Sequence, residues 1–155
     1  MPFVSRVTLR VRYAETDQMG VVYHANYFIW FEIGRVELLR ELGFSYKQME
    51  EEDCHLPVVE AGCRYRAPAL YDQSLVVETR IVLLRSSLVK FAYRLTRLDH
   101  PGANHLLAEA ETTHLLVNRA MKKRRLPARY EEALREAVTE TPRTLTRSDR
   151  AAVAS

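Results

Sequence analysis

An aspartate stands in a short turn just ahead of a strongly apolar segment. The run reads Glu15-Thr16-Asp17-Gln18-Met19-Gly20, then Val21-Val22-Tyr23-His24-Ala25-Asn26-Tyr27. The start of a helix carries backbone N–H groups without partners and a partial positive charge. If the turn folds back, the Asp17 carboxylate comes close to those donors. A thioester carbonyl held between them would meet a carboxylate on one side and an oxyanion hole on the other. Such a carboxylate can attack directly or activate water. The competing reading is a turn aspartate bonded to local backbone. His24 divides the same way, between a proton donor aimed at a leaving group and a histidine with a structural role.

Other chemistries find less support. No Gly-x-Ser-x-Gly stretch exists for a hydrolytic serine, and no glycine-rich phosphate loop is present. His55, His100, His105 and His114 share no metal-ligand spacing, so no metal is expected. His114 has the parity of its inward strand neighbours and is expected to be a satisfied core residue. Arg85, Ser87 and Lys90 surround a turn and are candidates for holding phosphates. Lys122-Lys123-Arg124-Arg125 is a second basic run, read either as a solvated hairpin or as a phosphate dock. Neither cluster is interleaved with aromatics, and a net charge of +3 gives no argument for nucleic acid.

Strands and one long helix must position these residues. Val7, Leu9, Val11 and Tyr13 alternate with Thr8, Arg10 and Arg12. The same alternation runs through Leu75–Leu83, Val89–Leu95 and Leu106–Leu116, and residues 55–66 form a less regular fifth strand. Short links at Arg85-Ser86-Ser87 and Asp99-His100-Pro101-Gly102 favour antiparallel hairpins. Residues 26–42 predict a helix with Asn26 as N-cap and Gly43 just past its end. Its first half is apolar nearly all round, so other elements must wrap it. A curled antiparallel sheet closing on that helix is an α+β class. Residues 128–138 predict a second helix after Pro127. A single domain over 1–138 and a polar, flexible tail over 139–155 are expected. A sheet of this kind keeps an uncovered face, which predicts a dimer or a higher oligomer.

Two cysteines, Cys54 and Cys63, have no spacing suited to zinc, and on one strand they would face opposite ways. Reduced thiols and a cytoplasmic location fit best. The N-terminus MPFVSRVTLR has no signal-peptide core, and no apolar run is long enough to span a bilayer.

The stretch Asp17, Gly20, Val21, Val22, Tyr23, His24, Asn26, Tyr27 resembles the signature of hotdog-fold acyl-CoA thioesterases of the hydroxybenzoyl-CoA thioesterase type, especially the bacterial subgroup associated with the Tol–Pal system. Tyr65, Pro68, Ala69, Asp72 and Leu75 resemble a second stretch of that family. The resemblance implies a hotdog fold, a long central helix wrapped by a five-stranded antiparallel sheet. It implies hydrolysis of an acyl-CoA thioester without a cofactor, coenzyme A being part of the substrate. It implies a homodimer or a dimer of dimers, a homotetramer. Asp17 falls on the family's catalytic aspartate, and the His24 backbone N–H on the group that polarises the carbonyl. Tyr23 and Asn26 belong to the substrate-binding motif. Arg85 and Ser87 match the region that holds the coenzyme A phosphates, with Lys90 and 122–125 as looser matches. Gln18-Met19 departs from relatives that carry small residues or Pro-Ala there. Two rival readings are an acyl dehydratase pairing His24 with Glu37, and a non-catalytic acyl-CoA-binding module.

Overall fold

The computed structural model describes residues 2–98 and 105–139. Five strands form one antiparallel sheet: β1 (Ser5–Arg10), β2 (Val58–Tyr65), β3 (Ser74–Arg85), β4 (Leu88–Arg97) and β5 (Leu106–Leu115), in the spatial order β1-β3-β4-β5-β2. Helix α1 (Asn26–Glu41) lies between β1 and β2 in the chain and packs on β1, β3 and β4. The expected helix wrapped by five strands is therefore present. The inward sets are those the period-two pattern selects as far as Ile81; a bulge between Ile81 and Leu83 then breaks the row, and Leu83 is only half-buried. Leu75, Val77, Thr79 and Ile81 of β3 are buried, as are Val89, Phe91, Tyr93 and Leu95 of β4. Phe31 of α1 stacks on Tyr93 with ring centroids 4.9 Å apart.

Gly34 sets how closely the helix approaches the sheet. A Cβ there would lie 2.4 Å from Thr79 Oγ1 and 2.9 Å from Val77 Cγ1. Only a residue without a side chain fits that contact unless the helix moves.

Four local expectations change. β1 stops at Arg10, and Tyr13 begins a 3-10 turn (Tyr13–Glu15), so Tyr13 is 77% exposed and does not extend the inward row. The strand expected over 55–66 begins only at Val58. Pro57 has no N–H to give a ladder, and His55 makes one isolated bridge to Val117. A short helix α2 (Tyr46–Glu51) was not expected; Ser45 caps it by accepting from Gln48 N at 3.1 Å, a Ser-x-x-Gln signal visible in the chain. Finally, α1 is not wrapped all round. Ile29 and Ile33 are 51% and 44% exposed on its outer face.

The second expected helix is α3 (Ala128–Ala137), and Thr139 then donates to Ile81 O at 2.8 Å, closing the chain onto β3. The expected turn at 99–102 and the rest of the tail, 140–155, lie outside the described residues. No helix among the described residues is long and apolar enough to cross a membrane.

His114 is fully buried in a directional chain. Its Nδ1 faces Leu56 O at 2.9 Å, and a carbonyl only accepts, so Nδ1 carries the proton. Nε2 then accepts from Thr112 Oγ1 at 2.8 Å. Thr112 accepts in turn from Tyr93 OH at 2.6 Å, which accepts from Arg35 Nη1 at 3.1 Å. Burial pushes the imidazole down to about 4, so the ring is neutral, as this order of donors requires.

Candidate active site

The chain reverses direction at Asp17. Thr16 and Val22 form an antiparallel bridge, Asp17 N donates to Val21 O at 2.9 Å, and Gly20 N donates to Asp17 O at 3.0 Å. Gly20 closes the turn at φ 79°, a conformation that suits glycine. Met19 N donates to Asp17 Oδ1 at 2.8 Å. Asp17 is thus the turn aspartate of the competing reading, yet that role occupies one oxygen. Oδ2 has no partner among the described residues, and the side chain is only partly covered.

The returning arm leads straight into α1. Tyr23 N donates to Glu15 O at 2.9 Å. Asn26, Tyr27 and Phe28 N–H groups donate to the carbonyls of Tyr23, His24 and Ala25 at 2.9, 3.3 and 3.3 Å. The N–H groups of His24 and Ala25 have no acceptor among the described residues. These are the donors at the positive tip of the helix. Asp17 and His24 therefore share one hairpin, with His24 three residues past the position that pairs with Asp17.

Asn26 is not the N-cap. Ala25 already has helical angles, φ −66° and ψ −25°, so Asn26 lies inside the helix. Its Nδ2 donates instead to Glu15 O at 2.8 Å, tying helix to loop.

Glu15 is the residue sequence reasoning passed over. It is 5% exposed. Oε1 accepts from Arg12 N and Oε2 from Trp30 Nε1, both at 2.7 Å. Burial works against the charged form, but these two donors and the Arg12 guanidinium outweigh it and hold the carboxyl below its ordinary value. The available signal was Trp30 fifteen residues on: a buried indole needs an acceptor.

The second motif buttresses the first. Tyr65 OH donates to His24 O at 3.0 Å, Val22 N donates to Ala69 O at 2.9 Å, and Ala69 N donates to Tyr27 OH at 3.1 Å. Burial, with Cys63 and Tyr27 adding to it, pushes the Tyr65 phenol up to about 12, so it stays a proton donor. Tyr23 and His24 are exposed, with ring centroids 4.6 Å apart, and His24 stands edge-on to Tyr65 at 6.3 Å.

Arg85, Ser87 and Lys90 lie elsewhere in the protomer. β1 enters the site beside the start of β3, where Arg10 pairs with Ser74. Arg85 is at the far end of β3, about 35 Å of strand away. There Ser86 and Ser87 form the two-residue turn into β4, and their carbonyls accept from Leu126 N and Leu116 N at 3.2 and 2.8 Å. The two basic candidates, the hairpin and 122–125, thus form one ledge. Lys90 is less available, since its Nζ pairs with Glu111 Oε2 at 3.0 Å. Arg124 donates to the carbonyls of Glu52 and Asp53, and Arg125 pairs with Glu131. The dehydratase pair is not assembled: Glu37 is about 16 Å along α1 from the helix start and bonds Arg40 at 2.7 Å. Among the described residues no cluster of His, Cys, Asp and Glu could hold a metal ion.

A five-stranded antiparallel sheet wrapped on one long helix, with a carboxylate hairpin at the helix tip, is the hotdog architecture in its thioesterase form. The profile of the thioesterase-like superfamily matches residues 11–138. A Bacillus subtilis protein named as an acyl-CoA thioesterase, YneP, is 39% identical over 116 residues, 75% of this chain and 81% of that one. The acyl-CoA thioester hydrolase YbgC of Escherichia coli is 37% identical over 123 residues, 79% of this chain and 89% of that one. The solved structure of TT1821 from Thermus thermophilus superposes with a TM-score of 0.79 at 38% identity, covering 86% of this chain and 98% of that one. The chain belongs to this family of acyl-CoA thioesterases.

Proposed function

We propose that this protein hydrolyses an acyl-CoA thioester to free acid and coenzyme A, using Asp17 as nucleophile or general base. The observation that carries the reading is a half-engaged carboxylate on the same hairpin as the His24 and Ala25 N–H groups, which have no acceptor among the described residues. The thioester oxygen accepts from the His24 N–H, which lowers the cost of the developing oxyanion. Asp17 Oδ2 acts at the carbonyl carbon or on the attacking water. The thiolate leaves toward the exposed His24 imidazole, beside Tyr23.

The working unit is a homo-oligomer, a dimer or a dimer of dimers. Strand β2 is a sheet edge, and Val58, Val59 and Tyr65 on it are 50%, 53% and 44% exposed. Pairing that edge with a second copy covers these residues and satisfies its backbone groups. Because Arg85 and Ser87 are remote from Asp17 in their own protomer, we assign the coenzyme A phosphates to the basic ledge of a neighbouring subunit, with Lys90 at its margin. Two free thiols, Cys54 and Cys63, support a cytoplasmic site of action.

The test is thiol release from a panel of acyl-CoA chain lengths by wild type and Asp17→Asn, with sedimentation velocity on both. Turnover in the wild type and its loss in a folded, oligomeric Asp17→Asn are expected. Wild-type turnover in Asp17→Asn removes Asp17 from the mechanism, and an active monomer removes the composite site.

A further inference from the structure

Glu15 makes more directed hydrogen bonds at the site than any residue placed in the chemistry, and they run to Arg12, Tyr23, Asn26 and Trp30. We propose that Glu15 is the positioning residue of this active site, locking the Asp17 hairpin to the tip of α1 through both its side chain and its main chain. This rests on the assignment of Asp17 as the reacting carboxylate.

The lock has two halves. The buried carboxylate ties the loop forward to Trp30, on the second turn of α1, and back to Arg12, where β1 runs out. The carbonyl accepts from Tyr23 N and from Asn26 Nδ2, at 2.9 and 2.8 Å. Glu15 is two residues before Asp17, and Tyr23 directly precedes His24. The same residue thus sets where the carboxylate stands and where the oxyanion donor stands. Other restraints on Asp17 are local: its own turn to Met19 and Gly20, and the bridge between Thr16 and Val22. Those shape the hairpin but do not fix it against the helix. Val22 N on Ala69 O and Tyr65 OH on His24 O hold the returning arm, not the arm that bears Asp17.

Both carboxylate oxygens receive N–H donors, so glutamine cannot replace glutamate here. Whichever way the amide is turned, its NH₂ faces either the Trp30 indole or the Arg12 N–H, a donor against a donor. An error of about 1 Å in the relation of two reacting groups costs up to about a hundredfold in rate. The substrate's remote contacts are untouched, so the loss falls on kcat.

The experiment measures steady-state kinetics of Glu15→Gln, Trp30→Phe and Asp17→Asn on one acyl-CoA. Trp30→Phe removes the donor together with the pyrrole half of the buried indole. For Glu15→Gln, kcat is expected to fall by about tenfold or more with KM within about twofold, and Trp30→Phe by a smaller factor in the same pattern. Trp30 is the only tryptophan in the chain, so its emission reports the contact directly. On acidification the wild-type emission changes as Glu15 is protonated, and Glu15→Gln lacks that transition. Wild-type kcat in a folded Glu15→Gln, or a change confined to KM, overturns the proposal. If Glu15→Gln does not fold, wild-type kcat in Trp30→Phe overturns it. An inactive Asp17→Asn beside a fully active Glu15→Gln refutes positioning alone, whereas an active Asp17→Asn refutes the reading beneath it.

Discussion

Two polar networks run through this molecule, and they treat their hydrogen bonds in opposite ways. In the core, Arg35, Tyr93, Thr112, His114 and the Leu56 carbonyl form a one-way chain in which every oxygen and ring nitrogen has its partner; Arg35 Nε, at its end, has none among the described residues. At the rim, Glu15 is equally saturated, but among the described residues Asp17, two positions on, keeps one oxygen without a partner, and the His24 N–H, nine positions on, has none. Burial explains the contrast. An unpaired donor or acceptor in the core costs the full desolvation of that group, whereas at the rim water covers it until substrate arrives. The core network stabilises by closing; the rim network stays open at two places on one hairpin.

The comparison can be broken most severely at Asp17. Asp17→Asn keeps the Met19 bond, through the amide oxygen, and removes the charge. Thiol release is expected to fall by about a hundredfold or more, with thermal stability nearly unchanged. A large loss of stability instead would show that Asp17 belongs with the core-type residues.

Acid tests the other network. His114 binds its proton only below about 4 in the folded protein, against 6.5 ordinarily. Between those values the unfolded chain takes up a proton that the native one refuses, so stability rises with pH across this window. On falling from 6.5 to 4 the loss is roughly 3 kcal/mol. Chemical denaturation against pH should show this slope, and it should flatten in His114→Gln. Glu15 acts in a separate window. Its carboxyl is held below the ordinary value, so its contribution is present above that value and is lost as pH falls further. A slope unchanged in His114→Gln would mean that the core chain tolerates a charged ring.

The spacing between helix and sheet gives a third test. Gly34→Ala forces α1 off Thr79 and Val77 and is expected to cost about 1–3 kcal/mol, read from the midpoint of denaturation. Activity per folded molecule sharpens the comparison: a kcat decrease larger than the unfolded fraction explains would mean that the rim geometry depends on how deeply the helix is seated.

The smallest effect is expected at the basic ledge. Arg85→Ala should raise KM several-fold with kcat little changed, because phosphates are held alike in ground and transition states. Lys90→Ala should do less, since Lys90 already pairs with Glu111. A fall in kcat at constant KM would argue that Arg85 acts on the chemistry.

Much of this was legible beforehand for identifiable reasons. The inward rows of β4 and of β3 up to Ile81 follow strict alternation, and the long helix follows its apolar run and Gly43. Asp17 and His24 could be singled out because the turn, the valines and the helix start are neighbours in the chain. Glu15 could not, because its meaning depends on Trp30 and on Arg12 meeting at one buried point. Asn26 has the residue type of a cap, and residue type does not reveal that Ala25 is already helical. The one local signal of α2 is the Ser45 and Gln48 pair at its start.

Hydrophobic period and turn chemistry, both local, determined the strands, the central helix and the acid at its doorstep. Only the folded chain decided that Glu15 is the lock, that Tyr65 and Ala69 brace the helix tip, and that Arg85 stands far from Asp17 within one protomer. Apart from the bonds of Glu15 to Arg12, Tyr23 and Asn26, those relations join residues from fifteen to more than sixty positions apart. Chain order carries no energy across such separations until packing brings the groups within hydrogen-bonding reach.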